Sequence, residues 1–162
     1  MTITEIELKK LNRWDRRFLD LATNISGWSK DPSKRIGAVA VSDKGQVLSQ
    51  GYNGLPRGIA DTESRLNERQ EKYKYVVHAE MNVIYNATYT GVSLDGATLY
   101  VVGLPVCSEC AKGIIQTGVK RVVMANANLE HKRWRESWEL TKQMFDEVGV
   151  EYEFSDYNPQ QN

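Results

Sequence analysis

From residue 36 onward the chain switches repeatedly between the apolar period of a strand and that of a helix, and this alternation constrains the fold more than any other feature. "RIGAVAVSDKGQVLSQGYNG" reads as two strands, about 36–42 and 46–52, around a tight turn at Asp43-Lys44-Gly45, which makes a β-hairpin. A helix over about 79–90 follows, with Val83, Ile84 and Ala87 inward, then a strand "ATLYVVG" and a helix over about 108–117 stopped by Gly118. A strand "KRVVMA", a helix carrying Trp134, Trp138, Thr141, Phe145 and Val148 up to Gly149, and a last strand "VEYEF" complete the series. Such an order implies mostly parallel strands, right-handed crossovers and helices on both faces, an α/β fold with ligands gathering at the carboxyl ends of the strands.

Ahead of the hairpin, Trp14, Phe18, Leu21, Ala22 and Ile25 recur at helical spacing and predict an amphipathic helix over about 13–27. Between Asn53 and Lys74 the charged and turn-rich "NGLPRG" and "DTESRLNERQEKYK" show no apolar period, so 53–75 is expected to be an inserted loop, and loops of that length are more often functional than idle. No linker divides the 162 residues, which fit one domain over 1–162 with a flexible tail at 155–162. Acidic and basic residues balance at 21 each, which gives no general attraction for nucleic acid. No apolar run approaches the ~18 residues of a membrane span, and no signal-peptide pattern opens the chain, so a cytoplasmic protein is expected.

The two cysteines, Cys107 and Cys110, stand at i and i+3 where a helix begins, a spacing that puts both on one face and a position that favours thiolates. The pair suits a redox couple as well as a metal clamp, and a third ligand would decide. Of the two histidines, His131 sits among charges in "ANLEHKRWRE" and reads as a surface residue. His78 opens the helix at 79, and the helix of Cys107 begins one strand later, so the two tips can share a sheet edge. One imidazole and two thiolates suit zinc and leave a fourth tetrahedral position open, as catalytic zinc sites do. Glu80 is then either a helix-start carboxylate favoured by the dipole or the group that moves a proton.

"HAE" followed by "PVCSECAKGIIQTG" resembles the zinc-dependent cytidine/deoxycytidylate deaminase superfamily, whose H-x-E…P-C-x-x-C signature and zinc chemistry are a known pattern. "DPSKRIGAV", "GYNGLPRG", "HAEMNVIYNA" and "CSECAKGIIQTGVKRVV" together resemble its deoxycytidylate (dCMP) deaminase branch over about residues 12–154. The resemblance implies a three-layer α/β/α cytidine-deaminase-like fold with a five-stranded mixed sheet of order 2-1-3-4-5. It implies hydrolytic deamination of dCMP to dUMP and ammonia, with His78, Cys107 and Cys110 on Zn²⁺ and Glu80 shuttling protons. Asn53, otherwise an Asn-Gly turn residue, would meet the substrate sugar, the Ala79 N–H the base carbonyl, and Ser33, Lys34 and Arg35 the 5′-phosphate. Val106, an extra residue between Pro105 and Cys107, would border the substrate. Members are expected to be homohexamers activated by dCTP and inhibited by dTTP. Those effectors would sit with Mg²⁺ near Gly54, Pro56, Arg57, Gly58, Arg65 and Arg69.

One substrate-contacting Tyr that relatives place after the strand "VVMA" has no counterpart between Val123 and Arg133, and Tyr157 or Trp134 are the candidates to replace it. Three other activities compete with dCMP deamination: a bifunctional dCTP/dCMP deaminase, a deaminase of bases in RNA or DNA, and a zinc-stabilised nucleotide sensor without turnover.

Overall fold

In the computed structural model, residues 8–158 are described. The strands are β1 (Leu8–Lys9), β2 (Gly37–Val41), β3 (Val47–Tyr52), β4 (Thr98–Val102), β5 (Arg121–Ala125) and β6 (Glu151–Ser155). The helices are α1 (Arg13–Ser26), α2 (Glu63–Asn67), α3 (Arg69–Tyr75), α4 (Ala79–Thr90), α5 (Ser108–Gln116) and α6 (Lys132–Val148). They make one sheet of order β1-β6-β5-β4-β2-β3. The five expected strands thus have the expected order, antiparallel at β3-β2-β4 and parallel at β4-β5-β6. The two-residue β1, which the sequence reading did not foresee, adds a parallel edge to β6.

Strand alternation sorts the core into two layers. Ala38, Ala40, Leu99, Val101, Val122 and Met124 point to the face covered by α4, α5 and α6. Val39, Val41, Tyr100, Val102, Val123 and Ala125 point to the face covered by α1. On α1 the buried set is Asp15, Leu19, Ala22 and Ile25, whereas Trp14 and Leu21 from the expected face are exposed. The period was displaced because Asp15 goes inward as a charged partner, accepting from Tyr100 Oη at 2.7 Å and from Arg121 at 3.0 Å. Likewise Val148 at the end of α6 is exposed while Trp138, Thr141 and Phe145 are buried.

Two further expectations change. The 53–75 insertion is partly helical, since it contains α2 and α3. Ser155 belongs to β6 and Tyr157 is buried, its hydroxyl donating to Asp20 Oδ1 at 2.6 Å, so the chain stays packed past the point where a tail was expected. The rest of that expected tail, 159–162, lies outside the described residues. Among the described residues no helix is long and apolar enough to cross a membrane.

The helix that opens the site is latched to the edge strand. Asn82 Nδ2 donates to the Tyr52 carbonyl and Asn86 Nδ2 to the Gln50 carbonyl, both at 2.7 Å, and Ser49 Oγ donates to the Val83 carbonyl at 2.8 Å. Gly51 lets the two backbones meet: a Cβ there would lie 2.6 Å from both Ala79 O and Val83 N. Gly51→Ala is therefore expected to push α4 outward and cost about 1–3 kcal/mol, the usual range for overpacking. Thermal unfolding measures it, and an unchanged Tm would show that the helix is not seated as described.

Candidate metal centre and its cavity

His78 and Cys107 are the N-cap residues of α4 and α5, both with extended backbone just before the helix begins. Since β3 and β4 end at the same sheet edge, the helices that follow them start there too. His78 Nδ1 lies 3.3 Å from Cys107 Sγ and 3.4 Å from Cys110 Sγ, and the three donor atoms are all within 4.8 Å of one another. A tetrahedral ion with Zn–S of about 2.3 Å and Zn–N of about 2.0 Å needs its donors roughly 3.5–3.8 Å apart, so the set fits zinc with little movement. The imidazole is exposed, Cys107 half-buried and Cys110 buried.

Electrostatics agree with a donor set ready to bind a cation. The hydrogen bond from the Cys110 thiol, with help from His78, pulls the Cys107 thiol down to about 4. Cys110 is pushed up by the same hydrogen bond, by burial and by Glu80. A divalent metal would displace the thiol protons that remain. Glu80 follows in the first turn of α4 and is 5% exposed. Burial first, and the Cys107 thiolate second, push its carboxyl up to about 7.

The extra residue before Cys107 has a clear seat. Val106 was expected to border the substrate, but its side chain is fully buried in the core and its carbonyl accepts from Thr141 Oγ1 at 2.9 Å. Ser137 Oγ accepts from the Ser108 N–H at 2.9 Å. Helix α6 thus fixes the turn into α5 through two hydroxyls, and neither Ser137 nor Thr141 was singled out from the sequence as a support.

A cavity of about 340 Å³ opens on the centre at the carboxyl ends of β4 and β5. His78, Ala79, Glu80, Cys107, Asn53, Ser33, Lys34 and Arg69 line it, while Arg35 is exposed and takes no part in the lining. Its remaining walls include residues that sequence reasoning passed over: Lys72 and Tyr73 on α3, and Asn128 and His131 after β5. His131, read as a surface residue, caps α6 by accepting from the Arg133 N–H at 3.2 Å and borders the cavity, because the β5–α6 connection turns back over the sheet edge. Trp134 lines the cavity beside it, whereas Tyr157 does not, being packed against α1. Arg133 joins the two outer walls, donating to Tyr73 Oη at 2.9 Å and stacking 4.7 Å from that ring.

Most of the residues expected at an effector site have partners within the chain. Arg57 donates to Asn86 and lies over Tyr89, Arg65 lies over Tyr75, and Arg69 lines the main cavity. Gly54 exchanges both backbone hydrogen bonds with Val77, at 3.1 and 2.8 Å, while Pro56 and Gly58 shape the turn closed by Ile59 N to Pro56 O.

Comparison with known proteins adds a family and relatives. Residues 12–126 match the model of the "cytidine and deoxycytidylate deaminase zinc-binding region". A protein of Aliivibrio fischeri named as an uncharacterized deaminase in the luxG 3′ region is 36% identical over 142 residues, 87% of this chain and 92% of its own. Human deoxycytidylate deaminase is 34% identical over 160 residues, 93% of this chain and 85% of its own. The crystal structure of dCMP deaminase from the cyanophage S-TIM5, in complex with dCMP and dUMP, superposes with a TM-score of 0.67 at 28% identity, covering 85% of this chain and 93% of that one.

Proposed function

This chain belongs to the cytidine and deoxycytidylate deaminase family, and on that premise we propose that it hydrolyses dCMP to dUMP and ammonia. The observation that carries the reading is the meeting of His78, Cys107, Cys110 and Glu80 at one end of a nucleotide-sized cavity. Relatives named for the same reaction support the choice of substrate.

In this reading His78, Cys107 and Cys110 hold Zn²⁺. Held by these three ligands, zinc would supply the Lewis acidity that lets a water lose a proton near neutral pH. Glu80 takes one proton as water adds at C4 of the cytosine and gives it to N3, then takes the proton of the new C4 hydroxyl and gives it to the amino group as the C4–N bond breaks, so that dCMP and water become dUMP and ammonia. A carboxyl pushed up by burial suits both halves of that exchange. The Ala79 N–H, at the start of α4, meets the base carbonyl.

Asn53 serves the sugar as an acceptor. Both hydrogens of its amide are engaged, by Lys34 O at 2.9 Å and Asp31 Oδ2 at 3.4 Å, and its Oδ1 accepts from the Ile36 N–H at 2.9 Å. One lone pair of Oδ1 remains for a sugar hydroxyl. Ser33 and Lys34 serve the 5′-phosphate, and Arg69, expected at an effector, borders the same cavity and joins them. The reading extends to a cytoplasmic homohexamer activated by dCTP and inhibited by dTTP with Mg²⁺, for which the support is the likeness of "GYNGLPRG" to the family's effector segment.

Ammonia release from dCMP, dCTP, deoxycytidine and a tRNA fragment, each with and without dCTP and dTTP, tests the proposal. dCMP is expected to be turned over best, and Asn53→Ala to raise its KM about tenfold, the loss of about one good hydrogen bond. Turnover of the tRNA fragment and not of dCMP would overturn the reading.

A further inference from the structure

Helix α3 presents Arg69, Lys72 and Tyr73 to the cavity, an i, i+3, i+4 set on one helical face, and Val76 follows as its extended C-cap residue. Lys72 alone of these is driven inward. The residue is 9% exposed, and its ammonium donates to Asp31 Oδ1 at 3.2 Å and to Ser33 Oγ at 3.5 Å. The Asp31 side chain is itself 10% exposed, so neither charge is left to water. An ammonium this deep persists when paired, and removing one partner leaves the other charge buried and uncompensated.

Asp31 is a junction between the parts that would hold the nucleotide. Its Oδ1 also accepts from the backbone N–H of Ser33 at 2.8 Å and of Lys34 at 3.2 Å, and its Oδ2 accepts from Asn53 Nδ2 at 3.4 Å. A second cavity of about 100 Å³ lies against the first, and Asp31, Asn53, Lys72 and Val76 border both. The ion pair, with the hydrogen bonds of Asn53 to Ile36 N and Lys34 O, spans the wall between the two cavities.

We propose that Lys72 is a positioning residue: through Asp31 it sets Asn53 and the Ser33–Lys34 backbone against the sugar and 5′-phosphate of the bound nucleotide. The inference rests on the dCMP reading above. It assigns Lys72 to nucleotide binding and leaves proton transfer to Glu80.

Steady-state kinetics with dCMP test it on the full-length wild type and on Lys72→Met, Lys72→Arg, Asp31→Asn and the Lys72→Met/Asp31→Asn double variant. Lys72→Met is expected to raise KM about ten- to hundredfold, with kcat within about threefold and zinc per chain unchanged. Lys72→Arg, which keeps a cation, recovers most of the loss. The double variant matches the worse single variant and does not multiply the two losses, because both act through one contact. An unchanged KM in Lys72→Met, a fall in kcat at constant KM, or multiplied losses in the double variant would each overturn the assignment, the last by showing that Lys72 meets substrate directly. If Lys72→Met does not fold, the double variant leaves no buried charge unpaired and decides alone: a raised KM supports the assignment and a wild-type KM overturns it. A wild type that releases no ammonia from dCMP defeats the substrate reading and this inference together. An active wild type with insensitive variants defeats this inference alone.

Discussion

Glu80→Gln is expected to lower kcat for dCMP by about 10²–10⁴-fold, the range for loss of a positioned acid–base group, while zinc per chain stays at the wild-type level. Gln keeps the shape of the side chain and removes only its ability to take up and give back a proton. Folding should not suffer, because the carboxyl is 5% exposed and a neutral amide is cheaper to bury than a carboxylate. Ammonia release and metal analysis on the same sample separate the two effects, and a kcat within tenfold of wild type would remove Glu80 from the chemistry. The pH profile gives a second readout. Burial pushes the carboxyl up to about 7, and a bound dication opposes that shift. Since Glu80 must be ionised to accept the first proton, kcat/KM falls as pH is lowered through its working pKa, at or below 7. That acid limb should be absent from the residual activity of Glu80→Gln.

Periodicity carried the fold where a strand or helix is buried on a simple face. β2, β4 and β5 are apolar on both sides because helices cover both sheet faces, and they read as continuous apolar runs. Reading failed where a polar residue goes inward for a partner far along the chain. Asp15 is buried by Tyr100 and Arg121, residues 85 and 106 positions away, and no local pattern announces such a pairing. The two-residue β1 is too short to show a period, and α2 and α3 carry a single aliphatic residue, Leu66, while their one buried position is Lys72.

The candidate site divides in the same way. His78, Glu80, Cys107 and Cys110 were legible because metal chemistry demands particular residue types at particular spacings, and the alternation of elements puts helix tips on one edge. Lys72 and Tyr73 on a short polar-rich helix and Asn128 and His131 on the β5–α6 connection were not, because a residue that only lines a cavity needs no special chemistry to be there. Val106, expected at the substrate, has its side chain in the core and its carbonyl bonded by Thr141 Oγ1, a partner 35 positions away that no local pattern announces. An i, i+3, i+4 reading of 69–73 would have placed Arg69, Lys72 and Tyr73 on one face, a signal present in the sequence although that face is not apolar.

Removing the metal should have the other large effect. Chelation, or Cys110→Ala, is expected to abolish turnover of dCMP, with Zn²⁺ restoring activity to the chelated protein but not to the variant. Stability should fall as well, since His78, Cys107 and Cys110 tie the first turns of α4 and α5 together. A site filled at 100 to 1,000 times its Kd adds about 2.7–4.1 kcal/mol. At about 2–4 °C per kcal/mol for a chain of this size, the apo protein should melt about 5–16 °C lower. The same measurements discriminate against a redox role for the cysteines. A redox pair would be isolated without metal and would gain stability on oxidation to a disulfide. A metal clamp shows one zinc per chain, and oxidation of its thiolates expels the ion and lowers the Tm. His78 Nδ1 stands 3.3 Å from Cys107 Sγ and 3.4 Å from Cys110 Sγ, and it is that third donor which tips the pair toward metal.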